Sequence, residues 1–79
     1  MPLFYFDIQG FRRELDEDGT ECADLQMAVR EAKKLLPAIA LDEVPQDGER
    51  HALTVLVTDE DGHPVYSGAL SYVGSWLIR

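Results

Sequence analysis

The feature that most constrains this fold is the tetrapeptide Asp-Glu-Asp-Gly, which occurs twice, at residues 16–19 and at residues 59–62. An Asp that opens a turn accepts hydrogen bonds from the backbone amides that follow it, and a closing Gly supplies a left-handed conformation. The second copy separates two strand-like runs, residues 52–58 and 64–70. This spacing predicts a β-hairpin closed by a three-residue bulged loop. The structural turn residues predicted for the two copies are Asp16, Gly19, Asp59 and Gly62.

Three strands are predicted within the first 23 residues of the chain. Residues 3–8 are aromatic and β-branched, and their apolar side chains recur at every second position on one face. Residues 11–15 and 20–23 flank the first tetrapeptide, and they predict a short polar hairpin.

One long helix is predicted to begin after Asp24, because Asp is a favoured N-cap residue. Apolar residues then recur three or four positions apart, which places them on one helical stripe. Pro37 removes the hydrogen bond to the carbonyl of Lys33 and predicts a kink or a short following turn. Residues 42–50 are polar and predict a loop. The apolar stripe consists of Leu25, Ala28, Val29, Ala32, Leu35, Leu36 and Ile39.

The register of the C-terminal hairpin predicts apolar residues on both of its faces. With the loop at residues 60–62, Val57 faces Val65 on one side of the sheet and Leu56 faces Tyr66 on the other. A single helix covers one face of a sheet, so the second face is left to meet another surface. The predicted fold is therefore α+β, an antiparallel sheet of four or five strands with one long helix on one face, in the order β-β-β-α-β-β.

The segment after the hairpin, residues 71–79, stays apolar and predicts either an added strand or a docking segment. Together with the uncovered sheet face, this segment predicts a homodimer or contact with another protein. The residues predicted to carry the interaction are Leu56, Tyr66, Tyr72, Trp76 and Ile78.

Length and composition narrow the classes of function. The 79 residues are expected to form one domain, residues 1–79. A net charge of −8 disfavours direct binding to nucleic acid or to an anionic membrane, because phosphate contacts need clustered Lys and Arg. No stretch resembles a membrane span or a signal peptide, and the single Cys22 requires no oxidising compartment. A cytoplasmic location is therefore expected.

No pattern in the sequence predicts a catalytic, cofactor or metal site. A calcium loop of the EF-hand type needs a Glu six residues after its Gly, where this chain has Leu25 and Gly68. The predicted hairpin places His51 and His63 at opposite ends, so the two histidines cannot share a metal ion. Cys22 has acidic neighbours, which weaken it as a nucleophile. We therefore expect no enzyme activity, no cofactor and no resident metal.

Several segments together resemble a known family. An aromatic strand at residues 3–7 leads into an acidic turn at residues 16–21, a helix start at residues 24–32 and a Val-Thr-Asp-Glu-Asp-Gly hairpin at residues 57–62. This pattern is similar to a family of small bacterial proteins, mainly alphaproteobacterial, that is known only as a domain of unknown function. The resemblance implies no catalytic residues.

The order of strand, acidic Asp-Gly turn, strand and helix also resembles, more weakly, HicB-type antitoxin domains. This second resemblance implies an acidic inhibitor of a basic RNA-acting partner. The expected function is therefore a non-enzymatic interaction module that self-associates, and the alternative is the antitoxin-like inhibitor.

Overall fold

The computed structural model describes residues 1–78, which form one antiparallel sheet and one long helix. The predicted α+β class and the predicted element order are both confirmed. A short 3-10 turn, Val44–Gln46, follows the helix. The elements are β1 (Leu3–Gln9), β2 (Arg13–Glu14), β3 (Thr20–Glu21), α1 (Leu25–Glu43), β4 (Arg50–Thr58) and β5 (Pro64–Val73).

The strand order across the sheet is β2-β1-β4-β5, and β3 pairs with the opposite end of the same edge of β1. The short hairpin predicted around the first tetrapeptide is wrong, because β2 and β3 each pair with β1. Between them, Asp16 accepts a hydrogen bond from Phe6 N (3.1 Å) and donates its own amide to Asp7 Oδ1 (3.0 Å). The Asp16 residue thus takes the place of a paired strand at the middle of this edge.

The helix begins as predicted, because the Asp24 carboxylate accepts a hydrogen bond from Met27 N (2.9 Å). It continues through Pro37 to Glu43, so the separate turn after Pro37 and a loop beginning at residue 42 are both wrong. Partial burial of Ile39 and Ala40 beyond the proline favours the helix more than one lost backbone bond opposes it.

The core lies between α1 and one face of the sheet. We call this side of the sheet the helix face and the other side the open face. Strands β1 and β4 contribute every second side chain to the helix face, as their alternating burial shows. Small residues on α1 let the helix approach the sheet closely. The buried core consists of Phe4, Phe6, Ile8, Cys22, Ala28, Ala32, Leu36, Leu53, Val55 and Val57.

A β-bulge in β5 changes the predicted register of the hairpin. Thr58 pairs with Pro64, but the next pair is Val57 with Tyr66, so Val65 is an extra residue on β5. The predicted pairing of Val57 with Val65 is therefore wrong. The bulge is favoured because it lets both Val65 and Tyr66 pack against the core.

The open face is consequently more polar than the sequence predicted. Leu56 lies opposite Ser67, not Tyr66, and Ala52 lies opposite Ser71. The prediction of two substantially apolar hairpin faces is wrong. Beyond the bulge, every side chain of β5 lies on the side of the sheet opposite to the one that the predicted register gave it. Leu56 remains 39% exposed on the open face.

Candidate functional site: the free edge of β5

Strand β5 forms an edge of the sheet, with β4 on one side and no strand of residues 1–78 on the other. An edge strand presents unpaired amide and carbonyl groups that pair readily with another chain. Gly74 N donates a hydrogen bond to Glu49 O (2.7 Å), which is in register with the β4–β5 ladder. Because these groups alternate in direction, even-numbered residues of β5 bond to β4, and the odd-numbered residues 67–73 face the free edge.

The free edge carries no charged side chain. Residues 64–78 contain no Asp, Glu, Lys or Arg, whereas 28% of the whole chain is charged and all 15 Asp and Glu precede Pro64. Natural proteins commonly protect an exposed edge with charged side chains, Lys above all. This edge therefore lacks the usual protection against pairing. The charge gap is visible in the sequence, but the sequence-based predictions did not use it.

The segment that follows β5, residues 74–78, pairs with no strand in the described part of the chain. The exposed fractions of its large side chains are 75% for Trp76, 91% for Leu77 and 76% for Ile78. Of the segment predicted from residue 71 onward, residues 71–73 complete β5, and the alternative of a separate added strand is wrong for residues 74–78. The docking alternative stays a prediction.

The predicted interaction residues do not form one continuous patch. Tyr66 and Tyr72 lie on the helix face of β5, opposite Val57 and His51 of β4, whereas Leu56 lies on the open face. Trp76 and Ile78 lie beyond the strand, and both are in solvent. The structure thus groups Tyr66 and Tyr72 on one strand face and separates Leu56 from them. The five predicted residues are Leu56, Tyr66, Tyr72, Trp76 and Ile78.

An open apolar groove of about 280 Å³ runs between α1 and β5. The helix contributes Ala32, Leu36 and Pro37 to its wall, and Gly68 lies on its strand side. Such a volume is at or below the small end of pockets that bind drug-sized molecules, so it suits one or two side chains. The groove lies beside β5, the strand that carries the free edge. The remaining lining residues are Lys33, Val55, Tyr66, Ala69 and Leu70.

A buried histidine joins the end of α1 to the start of β4. The His51 side chain is only 5% exposed, with Nε2 lying 2.8 Å from Glu43 Oε1 and Nδ1 lying 2.7 Å from Asp47 Oδ2. Glu43 also accepts a hydrogen bond from Phe11 N (3.3 Å), and the Phe11 ring packs against the imidazole with centroids 4.8 Å apart. With both ring nitrogens facing carboxylates, the imidazolium is the form that suits this site.

The charges around His51 support that protonation state. The pKa of His51 is raised above its ordinary 6.5, first by the hydrogen bond to Asp47 and then by the bond to Glu43, while burial opposes them. The pKa of Asp47 is lowered, first by the amide of Gly48 and then by His51. The sequence pattern considered for His51 was that of a metal ligand, not of a buried ion pair. The signal that was missed is a pair of acids four and eight residues before the histidine.

The two tetrapeptides form turns held by their first Asp. Burial of Asp16 acts to raise its pKa, but backbone hydrogen bonds from Gly19, Phe6 and Asp18 lower it below its ordinary value. The carboxylate of Asp59 accepts hydrogen bonds from Asp61 N and His63 N, both 2.9 Å long. Gly19 and Gly62 adopt left-handed conformations, with φ of +78° and +82°.

Ligand atoms of three residues in the second turn lie within 4.8 Å of one another: Asp59, Asp61 and His63. The Asp59 Oδ1 atom is already engaged by two backbone amides. The position that supplies a bidentate Glu in a calcium loop is Gly68, which lies in β5. The arrangement is that of a hydrogen-bonded turn, which Asp and Gly commonly form without an ion.

Cys22 is buried in the core. Burial raises the pKa of the Cys22 thiol, and the charges of Glu31 and Asp24 raise it further. A thiol with a raised pKa is a poor nucleophile near neutral pH.

Among residues 1–78, no helix is both long enough and apolar enough to cross a lipid bilayer.

Comparison with known families found one match. A family model described as a domain of unknown function, DUF6894, matches residues 3–71, which is most of the chain. The match ends before Tyr72 and so does not include Trp76 or Ile78. Searches of curated proteins and of solved structures found no match to this chain.

Proposed function

We propose that this chain, which belongs to the family of domains of unknown function DUF6894, is a non-enzymatic protein-interaction module that self-associates through β5 and residues 74–78. Membership of this family names no activity, so the proposal depends on the surface of the molecule. The observation that carries it is the uncharged free edge of β5, which continues into three exposed apolar side chains.

The physical basis is the cost of leaving this surface in water. Trp76, Leu77 and Ile78 each keep at least three quarters of their surface exposed, and burial of apolar area stabilises by roughly 25 cal/mol per Å². An antiparallel strand pairs equally well with a second copy of itself, because the pairing has two-fold symmetry. A second copy therefore satisfies the unpaired backbone groups and the apolar segment at once.

The absence of enzyme activity is part of the proposal. It is supported by the positions of the candidate reactive groups in residues 1–78. His51 has both nitrogens engaged by carboxylates, and Cys22 is buried with a raised pKa. The groove beside β5 is lined by only two ionisable side chains, those of Lys33 and Tyr66.

Sedimentation velocity across the micromolar range at physiological salt tests the self-association. The wild type is expected to form a dimer, and the double variant Trp76→Ala, Ile78→Ala is expected to raise the dissociation constant by about tenfold or more, because buried aromatic anchors dominate such interfaces. The matched control is Leu15→Ala, Leu41→Ala, which removes two exposed leucines that belong neither to β5 nor to residues 74–78.

The control variant is expected to dimerise like the wild type. A wild type that stays monomeric at the highest concentration contradicts the proposal. So does a Trp76→Ala, Ile78→Ala variant that dimerises as tightly as the control.

The second candidate function is an antitoxin-like inhibitor of a basic, RNA-acting partner protein. The net charge of −8 favours it, because all acidic residues lie outside β5 and remain available to a basic surface. A complex held by opposite charges weakens as salt is added. An apolar dimer of two chains of like charge tightens with salt, so the salt dependence of the complex separates the two functions.

A further inference from the structure

In a dimer, the exposed C-terminal segment needs a surface to cover, and its placement rests on the proposed self-association. We propose that two copies pair antiparallel along β5, and that Trp76 of each copy lies over Gly68 of the other, in the groove between α1 and β5. The occupant of this groove is thus the C-terminal segment of a second copy.

The backbone directions restrict how two β5 strands can pair. The odd-numbered residues 67–73 direct their amide and carbonyl groups to the free edge. In an antiparallel pair, residues that bond to the partner strand lie opposite one another, so odd-numbered residues oppose odd-numbered residues. Even-numbered residues then oppose even-numbered residues, and their side chains share one face. Both copies of α1 therefore lie on the same side of the joined sheet.

The C-terminal segment continues the line of β5. The run from Pro64 to Ile78 spans about 50 Å when extended, at 3.3 Å for each residue. The longest dimension of the molecule is 55 Å, which accommodates this extended run. Continued alternation places Trp76 and Ile78 on the same face as Tyr72, which is the helix face.

One of the allowed registers places Trp76 opposite Gly68. A Cβ atom at Gly68 would lie 3.5 Å from the Tyr66 ring and 3.6 Å from Val55 Cγ1, so Gly68 forms a low point of the groove wall that the Tyr66 ring borders. An aromatic side chain that covers a glycine on the neighbouring strand is a recognised stabilising arrangement in sheets. The same register sets Ile78 opposite Tyr66 of the second copy.

The groove matches the side chain that it would receive. Its wall includes the apolar residues Ala32, Leu36 and Pro37, and its volume is about 280 Å³. An aromatic side chain such as Trp76 buries about 150–250 Å². The dimer contains two such contacts, one for Trp76 of each copy. Together with the strand pairing from Tyr66 to Ile78, they bring the buried area toward the roughly 800 Å² per partner that a stable dimer needs.

The register makes a sharp geometric prediction, because Tyr72 lies on the two-fold axis, opposite Tyr72 of the second copy. Residues opposed in this way have Cα atoms about 4.5 Å apart, which is within the range of a disulfide. Tyr72→Cys, made in a Cys22→Ser background, is therefore expected to form a disulfide-linked dimer under mild oxidation. The readout is non-reducing electrophoresis.

The matched control is Leu70→Cys in the same background. Leu70 lies on the same face of β5, but in this register it opposes Gly74 of the second copy. Two copies of residue 70 are then separated by about four residues along the strand, roughly 13 Å, which is beyond the reach of a disulfide. A linked dimer from Tyr72→Cys with none from Leu70→Cys supports the register.

Fluorescence of Trp76, the single tryptophan, reports whether the groove is filled. Its emission is expected to move to shorter wavelength as the dimer forms. Gly68→Val fills the strand side of the groove and is expected to raise the dissociation constant about tenfold, since the lost contact is a central aromatic one. Ala52→Val, on the open face of the neighbouring strand β4 and away from the free edge, is the control and is expected to dimerise like the wild type.

The outcomes separate this inference from the proposed function. A dimer in which Trp76 keeps the emission of a solvated indole, or in which Leu70→Cys links and Tyr72→Cys does not, overturns the placement of Trp76 and leaves self-association standing. A protein that is monomeric by sedimentation overturns both. Emission at short wavelength that does not depend on protein concentration shows that the segment fills its own groove, and it also overturns the placement.

Discussion

At the scale of single residues, the two left-handed glycines have different surroundings. Gly62 has φ of +82°, and a Cβ atom added there would have nothing within 4 Å, whereas a Cβ at Gly19 would lie 3.0 Å from the Tyr5 ring. We expect Gly62→Ala to destabilise the protein by about 1–2 kcal/mol, the cost of a left-handed conformation. Gly19→Ala is expected to cost more, because the methyl group also displaces Tyr5. Chemical denaturation measures both.

Gly48→Ala is the matched control for these variants. Gly48 also has nothing within 4 Å of an added Cβ, but its φ is not positive. We expect this variant to be neutral or slightly stabilising. Equal losses for Gly62→Ala and Gly48→Ala contradict the assignment of strain to the turn.

The second residue-scale prediction concerns His51 and pH. Because its pKa in the folded protein is raised above 6.5, the protonated ring contributes stability that is fully present below about pH 6.5. That contribution is lost as pH rises through the folded-state pKa. We therefore expect the free energy of unfolding of the wild type to fall from mildly acidic to alkaline pH, and to fall much less in His51→Gln. Denaturant titrations across this range measure the difference.

His63→Gln is the control for this pH dependence, because His63 is 75% exposed in the second turn. This variant is expected to keep the slope of the wild type. If His63→Gln removes the slope and His51→Gln leaves it unchanged, the assignment to the buried histidine is wrong.

At the scale of elements, the helix shows where tertiary packing outweighs local preference. Pro37 lies inside α1 and cannot donate a hydrogen bond to the carbonyl of Lys33. We expect Pro37→Ala to raise the free energy of unfolding by about 1–3 kcal/mol, because it restores this bond and removes a steric conflict. The gain is reduced by the greater freedom of the unfolded chain. Thermal and chemical denaturation of the variant measure the net change.

Lys34→Ala provides a control in the same turn of the helix. It removes only an exposed ion pair to Glu31 with an N–O distance of 3.6 Å, and it is expected to change stability little. A Pro37→Ala variant that is no more stable than the wild type indicates that the proline has a compensating contact.

At the scale of the whole molecule, charge and apolar surface act against each other. Each copy carries a net charge of −8, but the strand and C-terminal segment that would pair, residues 66–78, contain no acidic or basic side chain. Added salt screens the repulsion between two copies, since the Debye length falls from about 30 Å at 0.01 M to about 8 Å at 0.15 M. We expect the dissociation constant of the dimer to fall several-fold over this range. Sedimentation equilibrium at several salt concentrations measures it, and a dimer that weakens with salt indicates an interface held by ion pairs.

The amino-acid sequence alone determined the features that depend on neighbours along the chain. The Asp-x-x-Gly spacing indicates a left-handed glycine, and the stripe that begins after Asp24 indicates a helix capped at that residue. The order of the strands and the helix along the chain also followed, because alternation and turn residues are local signals.

Only the tertiary structure decided which side of the sheet each residue of β5 occupies and which groups meet in space. The extra residue Val65 moves Tyr66 and Leu70 to the helix face. The free energy gained by packing both Val65 and Tyr66 against the core exceeds the cost of interrupting the regular hydrogen-bond ladder. Likewise, Asp16 replaces a strand on the edge of β1, and His51 meets Glu43 and Asp47 at the end of α1. These outcomes depend on contacts between elements that are distant in the sequence. For β5, a one-residue shift in register moves each side chain to the opposite face of the sheet.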